Sequence, residues 1–384
     1  MHILGIETSC DDTAAAVIEA KGEFAKPSFS VLSSVSYSQV AIHKKFGGIV
    51  PNLASRAHLL KIAPTVKSAL LMSDINNEDI DLIAVTRGPG LLPSLLVGVN
   101  FARALAYKWQ KPIIGVNHIE GHIYSNWLSP VREFSISNSQ FSNKSQIPNT
   151  KYKIQNTTSL FPALILIVSG GHTELILMKD YGKYKIIGET LDDAAGECFD
   201  KTARILGLGF PGGPAIAALA DKFQVPSSKL QVQLPRPIIN SNNYNFSFSG
   251  LKTAVLYLYN DLAKKYPISK IRPALAYEIQ NAIVDVLIAK TVKAIKNYNP
   301  KSVMIAGGVS ANKKLREEMS KKIAPYKISF FAPELSYTTD NASMIAAAGY
   351  FSAIGGSASG GNYSAKKPKP DSWKKMEANA NLKL

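Results

Sequence analysis

Cysteine is scarce in this 384-residue chain, which contains only Cys10 and Cys198. Two cysteines cannot build a disulfide framework, so the class of small disulfide-held domains is excluded. No stretch reaches the roughly 18 apolar residues that a membrane helix needs, and the N-terminus lacks the basic and apolar regions of a signal peptide. These absences predict a soluble, cytoplasmic protein with no membrane contact.

Acidic residues are also few. There are 28 Asp and Glu against 44 Lys and Arg, which leaves a formal net charge of +16. A basic excess suits a polyanionic partner such as RNA or DNA, but it also fits a proteome that simply favours lysine. Charge alone does not choose between these two interpretations.

The length of the chain suits two domains, and its 46% hydrophobic and 19% charged residues are typical of a globular protein. Residues 129–159 are rich in Ser, Asn, Gln and Thr without periodicity, which predicts an inserted loop or linker. We therefore expect a first domain over 1–128, completed by a helix near 341–354, and a second over 160–340. Residues 355–384 form a Gly/Ser-rich and then basic tail.

The two halves resemble each other in plan. Each opens with a buried strand, a turn of small polar residues and a returning strand, and each later has a short apolar strand that runs into glycines. The paired segments are 3–6 with 163–168, 14–18 with 175–177, and 82–85 with 303–306. This duplication predicts an α/β fold of two actin-, Hsp70- and sugar-kinase-like domains, an architecture that holds a nucleotide in the cleft between its domains.

His118 and His122 are two of only six histidines, and on a helix residues four apart face the same way. Imidazole favours zinc, iron or a similar ion, so the pair is a candidate metal site. A zinc protease needs its glutamate directly after the first histidine, whereas Glu120 lies two residues on and points roughly 200° around the helix. A protease is therefore disfavoured. Asp340 is the candidate third ligand, and its alternative role is to cap the helix that opens at 341–344.

The glycine-rich turns are candidate phosphate cradles, because glycine lets backbone N–H groups converge on an anion. No Walker motif is present, and the run 211–214 is also compatible with a simple turn. Asp200 lies on a predicted helix that ends near Gly207. Its carboxylate could accept hydrogen bonds from ribose hydroxyls, or it could belong to a solvated charged face with Glu197 and Lys201.

Several motifs, in order along residues 1–350, together resemble the tRNA N6-adenosine threonylcarbamoyltransferase family in its bacterial form. Members of this family were once catalogued as glycoprotein endopeptidases. The motifs are Gly5-Ile6-Glu7-Thr8-Ser9-Cys10-Asp11-Asp12-Thr13, the segment 118–122, Val168-Ser169-Gly170-Gly171-His172-Thr173, 192–197, 246–253, 306–312 and Thr339-Asp340-Asn341.

The resemblance implies that His118, His122 and Asp340 bind one divalent metal ion, with Fe²⁺ favoured over Zn²⁺. It places Asp11 and Asp12 in the turn of the first domain, facing the cleft, and we expect these two as catalytic residues, either of which could take a proton from the attacking amine. The substrate, threonylcarbamoyl-AMP, would be surrounded by Ile167, Val168, Ser169, Gly170, Gly171, Asp200, Gly213 and Asn312.

The implied reaction moves the threonylcarbamoyl group to N6 of the adenosine adjacent to the anticodon, in tRNAs that read codons beginning with A. The implied partners are tRNA, an inactive paralogue and a small P-loop ATPase, and the basic tail is then either solvated or an arm that contacts tRNA. The alternatives are an ATPase or sugar kinase of the same architecture and a non-catalytic tRNA-binding scaffold. The chain departs from the family pattern at Asn52, where Glu is usual, at Pro93, where a small residue is usual, and at Asn245, where Asp is usual.

Overall fold

The computed structural model describes residues 1–22, 27–128, 160–223, 230, 232–354 and 368–384. The predicted insertion at 129–159 and residues 355–367 of the predicted tail lie outside the described residues. The strands are β1 (His2–Glu7), β2 (Asp12–Lys21), β3 (Ser28–Ser38), β4 (Leu82–Gly88), β5 (Ile113–Asn117), β6 (Ala163–Val168), β7 (Thr173–Asp180), β8 (Lys183–Glu189), β9 (Ser302–Ala306) and β10 (Ser329–Phe331). The helices are α1 (Val40–His43), α2 (Pro51–Ser73), α3 (Leu92–Trp109), α4 (His118–Tyr124), α5 (Ala195–Ile205), α6 (Gly212–Ala220), α7 (Ser249–Ala263), α8 (Ile268–Tyr298), α9 (Lys313–Ile323) and α10 (Ala342–Ile354).

Among the described residues the strands form two five-stranded sheets of the same design. Their orders are β3-β2-β1-β4-β5 and β8-β7-β6-β9-β10. In the first sheet β1 pairs antiparallel with β2 and parallel with β4, and in the second β6 pairs antiparallel with β7 and parallel with β9. The predicted α/β duplication is therefore confirmed.

The chain divides into two compact units. One comprises Met1–Gln39, Pro51–Thr158 and Phe331–Leu384, and the other comprises Val40–Val50 and Ser159–Phe330. The domain boundaries expected from the sequence stay predictions. In the part of the chain that the structure describes, no helix combines the length and the apolar character needed to cross a bilayer.

Strand β1 has two different faces. Leu4 and Ile6 are fully buried in the apolar cluster that α2 and α3 cover. Gly5 faces the other way, against α10, and a Cβ added there would lie 2.1 Å from the carbonyl oxygen of Ala342. Because successive side chains of a strand alternate between faces, Glu7 lies on the same side as Gly5. The period of two thus directs a carboxylate towards the α10 side of the sheet.

The second sheet has an apolar centre. Every residue of β6 and β9 is buried, as expected for parallel strands covered on both faces. The long helix α8 buries most of its apolar side chains, and Lys290 within it is fully buried as well. Its Nζ donates to Ser241 Oγ at 2.5 Å and to the carbonyl oxygen of Asn243 at 3.0 Å.

Residues 368–384 belong to the first unit and pack on its sheet. Ser372 Oγ donates to the carbonyl oxygen of Ile113 at 2.9 Å and accepts from the Ile113 amide at 3.0 Å, so it pairs with β5 at the sheet edge. Met376 is 8% exposed and joins the apolar cluster of the first sheet. Further on, the Asn379 amide donates to the Arg87 carbonyl oxygen at 2.7 Å. Lys369, Lys374 and Lys375 remain exposed, so the contacts of Ser372 and Met376 hold this segment on the sheet while its basic side chains face solvent.

Candidate metal centre and substrate-binding turns

The histidine pair is positioned where a strand turns into a helix. Strand β5 ends at Asn117, whose side-chain oxygen accepts the Ile119 amide at 2.8 Å and so caps α4. The cap sets the start of the helix, and the spacing of four then places His118 and His122 on one face. Their ring centroids are 4.7 Å apart.

Asp340 meets both rings. Its Oδ1 lies 3.4 Å from His118 Nε2 and 3.3 Å from His122 Nε2. The alternative role for Asp340, a cap for α10, is wrong because Asn341 Oδ1 accepts the Met344 amide at 2.9 Å instead. With the cap supplied by its neighbour, the carboxylate of Asp340 faces the imidazoles.

The donor set fits a metal ion. One ligand atom from each of the three side chains lies within 4.8 Å of the others, and both histidines are buried. Two ligands about 2.1 Å from a tetrahedral ion are about 3.4 Å apart, which matches the two carboxylate–imidazole distances. His122 Nε2 is buried and lies 3.3 Å from Asp340 Oδ1, a separation expected of two ligands that share one cation.

Charge in the centre is unevenly distributed. Burial by itself lowers the pKa of His118, but the carboxylates of Asp340 and Glu7 outweigh burial and raise that pKa to about 10. Burial and the neighbouring His118 lower the pKa of His122. Burial tends to raise the pKa of Asp340, yet the two histidines hold it well below its usual range. Without metal, His118 is therefore the cationic member, and metal binding has to displace its Nε2 proton.

Asp11 lies in the turn between β1 and β2, and Asp12 is the first residue of β2. Burial, Asp11 and Asp340 together raise the pKa of Asp12 to about 7, although Ser38 donates a hydrogen bond to it. Among the described residues, Asp12 Oδ1 is buried without a hydrogen-bond partner. Asp11 presents its backbone carbonyl oxygen to the Gln39 amide at 3.1 Å.

The predicted phosphate cradle is the turn between β6 and β7. The Ser169 amide donates to the His172 carbonyl oxygen at 2.8 Å, and Ser169 Oγ accepts the His172 amide at 3.1 Å. Gly170 and Gly171 are exposed at the tip, and a Cβ on either would meet nothing within 4 Å. The turn is thus braced at its ends and open at its tip. Ile167 and Val168 are fully buried in β6.

Asp200 and Gly213 lie at one helix end in the second unit. Asp200 Oδ1 accepts the Gly212 amide at 2.6 Å, so this carboxylate caps the start of α6. Gly213 follows directly, and a Cβ there would meet nothing within 4 Å. On the charged face proposed as the alternative, Lys201 pairs with Glu197 at 2.8 Å and also with Asp193 at 2.7 Å.

Asn312 has two structural contacts. Its side-chain oxygen accepts the Leu315 amide at 3.0 Å and caps α9, while its Nδ2 donates to Gln280 Oε1 at 2.9 Å. These contacts hold the amide in one orientation. One N–H and one lone pair remain for a ligand.

Known proteins are similar to this chain along most of its length. A family model described as "TsaD: tRNA N6-adenosine threonylcarbamoyltransferase" matches residues 30–135 and 147–347. A Caldicellulosiruptor saccharolyticus protein of that name is 45% identical over 359 residues, covering 94% of this chain and 95% of the relative. A Bacillus subtilis protein of the same name is 44% identical over 351 residues, covering 91% of this chain and 90% of the relative.

The chain belongs to the tRNA N6-adenosine threonylcarbamoyltransferase family. It is accordingly a transferase, as the sequence motifs predicted. Among solved structures, full-length HypF in its phosphate- and nucleotide-bound form aligns with a TM-score of 0.52 at 12% identity, over 93% of this chain and 47% of HypF. At that identity the likeness supports the shared fold alone.

The structure accounts for two of the departures from the threonylcarbamoyltransferase pattern. Pro93 is in the first turn of α3, where a missing amide N–H costs no helical hydrogen bond. Asn245 Oδ1 accepts the Glu189 amide at 3.2 Å, a contact that an aspartate oxygen would also make. Asn52 is exposed in the first turn of α2, and nothing in the structure explains its departure.

The sequence analysis missed two residues beside this candidate metal centre. Glu7 is fully buried and its Oε2 lies 3.1 Å from His118 Nδ1, and Thr86 Oγ1 donates to the same oxygen at 2.6 Å. The sequence did contain a signal for Glu7, because a glutamate at the end of a buried strand requires hydrogen-bond or charge partners. Glu120, the acidic residue that the sequence did single out, is not among the three residues grouped around the candidate ion within the described part of the chain.

Proposed function

We propose that this chain transfers the threonylcarbamoyl group of threonylcarbamoyl-AMP to N6 of the adenosine next to the anticodon, in tRNAs that read codons beginning with A. The observation that carries the proposal is the buried group of His118, His122 and Asp340, in a chain that belongs to the tRNA N6-adenosine threonylcarbamoyltransferase family. A kinase or ATPase of this architecture has no need of two imidazoles converging on one carboxylate.

We assign His118 Nε2, His122 Nε2 and Asp340 Oδ1 as the ligands of one divalent ion, Fe²⁺ in preference to Zn²⁺. Two imidazoles and a carboxylate suit either ion, and three protein ligands leave positions open for substrate. The bound ion would supply a Lewis acid that polarises the carbamoyl oxygen or orients the anhydride.

Transfer requires the N6 amine of adenosine to attack the carbamoyl carbon. The new C–N bond forms as the bond from that carbon to the phosphate oxygen breaks, and AMP leaves with the bonding pair. The amine must also lose a proton. We assign its removal to the turn of Asp11 and Asp12, with Asp12 as the acceptor, because a carboxylate whose pKa is about 7 is both ionised and basic near neutral pH.

Positioning of the donor falls to the second unit. The amides of Gly170 and Gly171, at the open tip of a braced turn, suit the phosphate. The backbone of Ile167, Val168 and Ser169 would line the approach to this turn. The Asp200 carboxylate, the open space at Gly213 and the remaining N–H of Asn312 would serve the ribose and base. AMP is a good leaving group, so orientation supplies much of the rate.

The partners follow from the same proposal. The net charge of +16 favours association with tRNA, and we place the reaction in the cytoplasm, together with an inactive paralogue and a small P-loop ATPase. A separate synthase would make the adenylate from threonine, bicarbonate and ATP.

The test is transfer of radiolabelled threonine onto purified tRNA with the adenylate synthase and both partner proteins supplied. Wild type is compared with His118→Ala and with His2→Ala. The second variant is the control, because it also loses an imidazole but lies at the opposite end of β1 from Glu7. We expect label on tRNA with wild type and His2→Ala, and a loss of at least 100-fold with His118→Ala. Equal labelling by all three would refute the metal assignment, and no labelling by wild type with partners proven on another transferase would refute the function.

A further inference from the structure

Glu7 is an unusual residue for the end of a core strand. Its carboxylate is 0% exposed, and burying an uncompensated charge is strongly unfavourable. Oε1 accepts the Ser9 amide at 2.5 Å, and Oε2 accepts the Thr86 hydroxyl at 2.6 Å. These hydrogen bonds stabilise the carboxylate within an otherwise apolar sheet.

The sheet places Glu7 and Thr86 side by side. Strands β1 and β4 run parallel, with Ile6 opposite Val85, so the next residue of each strand emerges at the same edge. Glu7 shares the face of Gly5, on which α10 packs, and α10 is preceded by Asp340. The third strand in this row, β5, ends directly before His118.

The two nitrogens of the His118 ring have different neighbours. Nε2 faces Asp340 at 3.4 Å, whereas Nδ1 lies 3.1 Å from Glu7 Oε2. A carboxylate only accepts, so it holds the proton on Nδ1 and leaves the Nε2 lone pair directed at the candidate ion. His122 lacks this support, because its Nδ1 has no hydrogen-bond partner among the described residues.

We infer that Glu7, held by the hydroxyl of Thr86, is the positioning residue that fixes the tautomer and orientation of His118 as a metal ligand. The inference rests on the metal centre of the proposed function. Ser9 Oγ also lies 3.2 Å from His118 Nδ1, but a hydroxyl both donates and accepts, so it does not select one tautomer. Glu7 carries the selection and Ser9 supplies the amide that holds Oε1.

The test measures Co²⁺ affinity of the full-length, metal-stripped protein by competition with a chromogenic chelator, without tRNA or partners. We expect Glu7→Gln to weaken Co²⁺ binding by roughly 10–100-fold and to alter the visible absorption of bound Co²⁺. Thr86→Val removes only the hydroxyl that holds Glu7, so a smaller loss in the same direction is expected. The matched controls are Glu278→Gln, a buried glutamate paired with Arg236, and Thr65→Val, a buried threonine bonded within α2, and both should bind as wild type.

Circular dichroism and urea unfolding of the metal-free proteins identify variants that fail to fold. If Glu7→Gln does not fold, Thr86→Val still tests the inference. The inference is overturned if folded Glu7→Gln and Thr86→Val bind Co²⁺ with wild-type affinity and spectrum while His118→Ala loses binding. That result would leave the metal centre itself intact. A larger loss in Ser9→Ala than in Glu7→Gln would assign the positioning to Ser9 and overturn it as well. Unchanged binding in His118→Ala would reject the metal centre itself.

Discussion

Gly5 allows α10, and with it Asp340, to lie close to β1. A Cβ at Gly5 would be 2.1 Å from the Ala342 carbonyl oxygen and 3.0 Å from the Ala346 Cβ. Carbon and oxygen normally approach no closer than about 3.2 Å, so Gly5→Ala forces the start of α10 to move by about 1 Å. The backbone of Gly5 does not need a positive φ, so the effect of the methyl group is purely steric.

The expected magnitude follows from the rigidity of both partners. Overpacking a dense core by one methyl group costs about 1–3 kcal/mol, and here the obstructing atom belongs to helical backbone rather than to a flexible side chain. Because Asp340 lies two residues before Ala342, the same displacement moves a candidate ligand. We expect Gly5→Ala to lower the free energy of unfolding by at least about 2 kcal/mol and to weaken Co²⁺ binding more than tenfold.

Urea unfolding of the metal-free protein and chelator competition measure these two quantities separately. Gly170→Ala is the control for both, since its added Cβ meets nothing within 4 Å and the φ of Gly170 is not positive. The reasoning is refuted if Gly5→Ala and Gly170→Ala unfold at the same urea concentration. If Gly5→Ala is destabilised but binds Co²⁺ normally, the link from β1 through α10 to Asp340 is wrong.

Two further predictions concern other parts of the first unit. Because the pKa of Asp12 is raised to about 7 from an ordinary 3.8, its contribution to stability is present below pH 4 and is lost as the pH rises through 7. As the pH rises from 5 to 8, the free energy of unfolding of metal-free Asp12→Asn should therefore increase relative to that of wild type by on the order of 1–2 kcal/mol, measured by urea unfolding. A difference between the two proteins that stays constant across that range would contradict the assignment. Met376→Ala should destabilise the protein by about 2–3 kcal/mol because Met376 is buried in the apolar cluster of the first sheet, whereas the adjacent exposed Lys375→Ala should change stability by less than about 0.5 kcal/mol. Equal unfolding midpoints for these two variants would show that the C-terminal segment does not stabilise the sheet.

Local periodicity was sufficient for a large part of the fold and for half of the metal centre. The strand–turn–strand repeats predicted both sheets because alternation and buried runs are visible within a few residues. His118 and His122 could be paired because residues four apart lie on the same face of a helix. Asp340 required the family resemblance, since its own surroundings favoured a helix cap, a role that Asn341 takes in the structure.

The remaining features depend on contacts between segments far apart in the chain. The composition of the tail predicted either a solvated segment or an arm for tRNA, and it gave no sign that Ser372 and Met376 pack on β5 and the first apolar cluster. Asp200 was expected on a charged face or at a ribose, and it caps α6 through a contact that only the turn at Gly212 creates.

The sequence by itself determined which segments are strands and helices, the duplication, the family and the histidine pair. These properties depend on residues within one turn of a helix or along one strand, or on motifs that resemble those of a known family. The tertiary structure alone decided that Glu7 lies behind His118, that Thr86 holds Glu7, and that Asp340 faces both rings. The physical reason is that the hydrogen bonds and burial that orient these side chains come from β1, β4, β5 and α10, whose adjacency exists only once the sheet has formed.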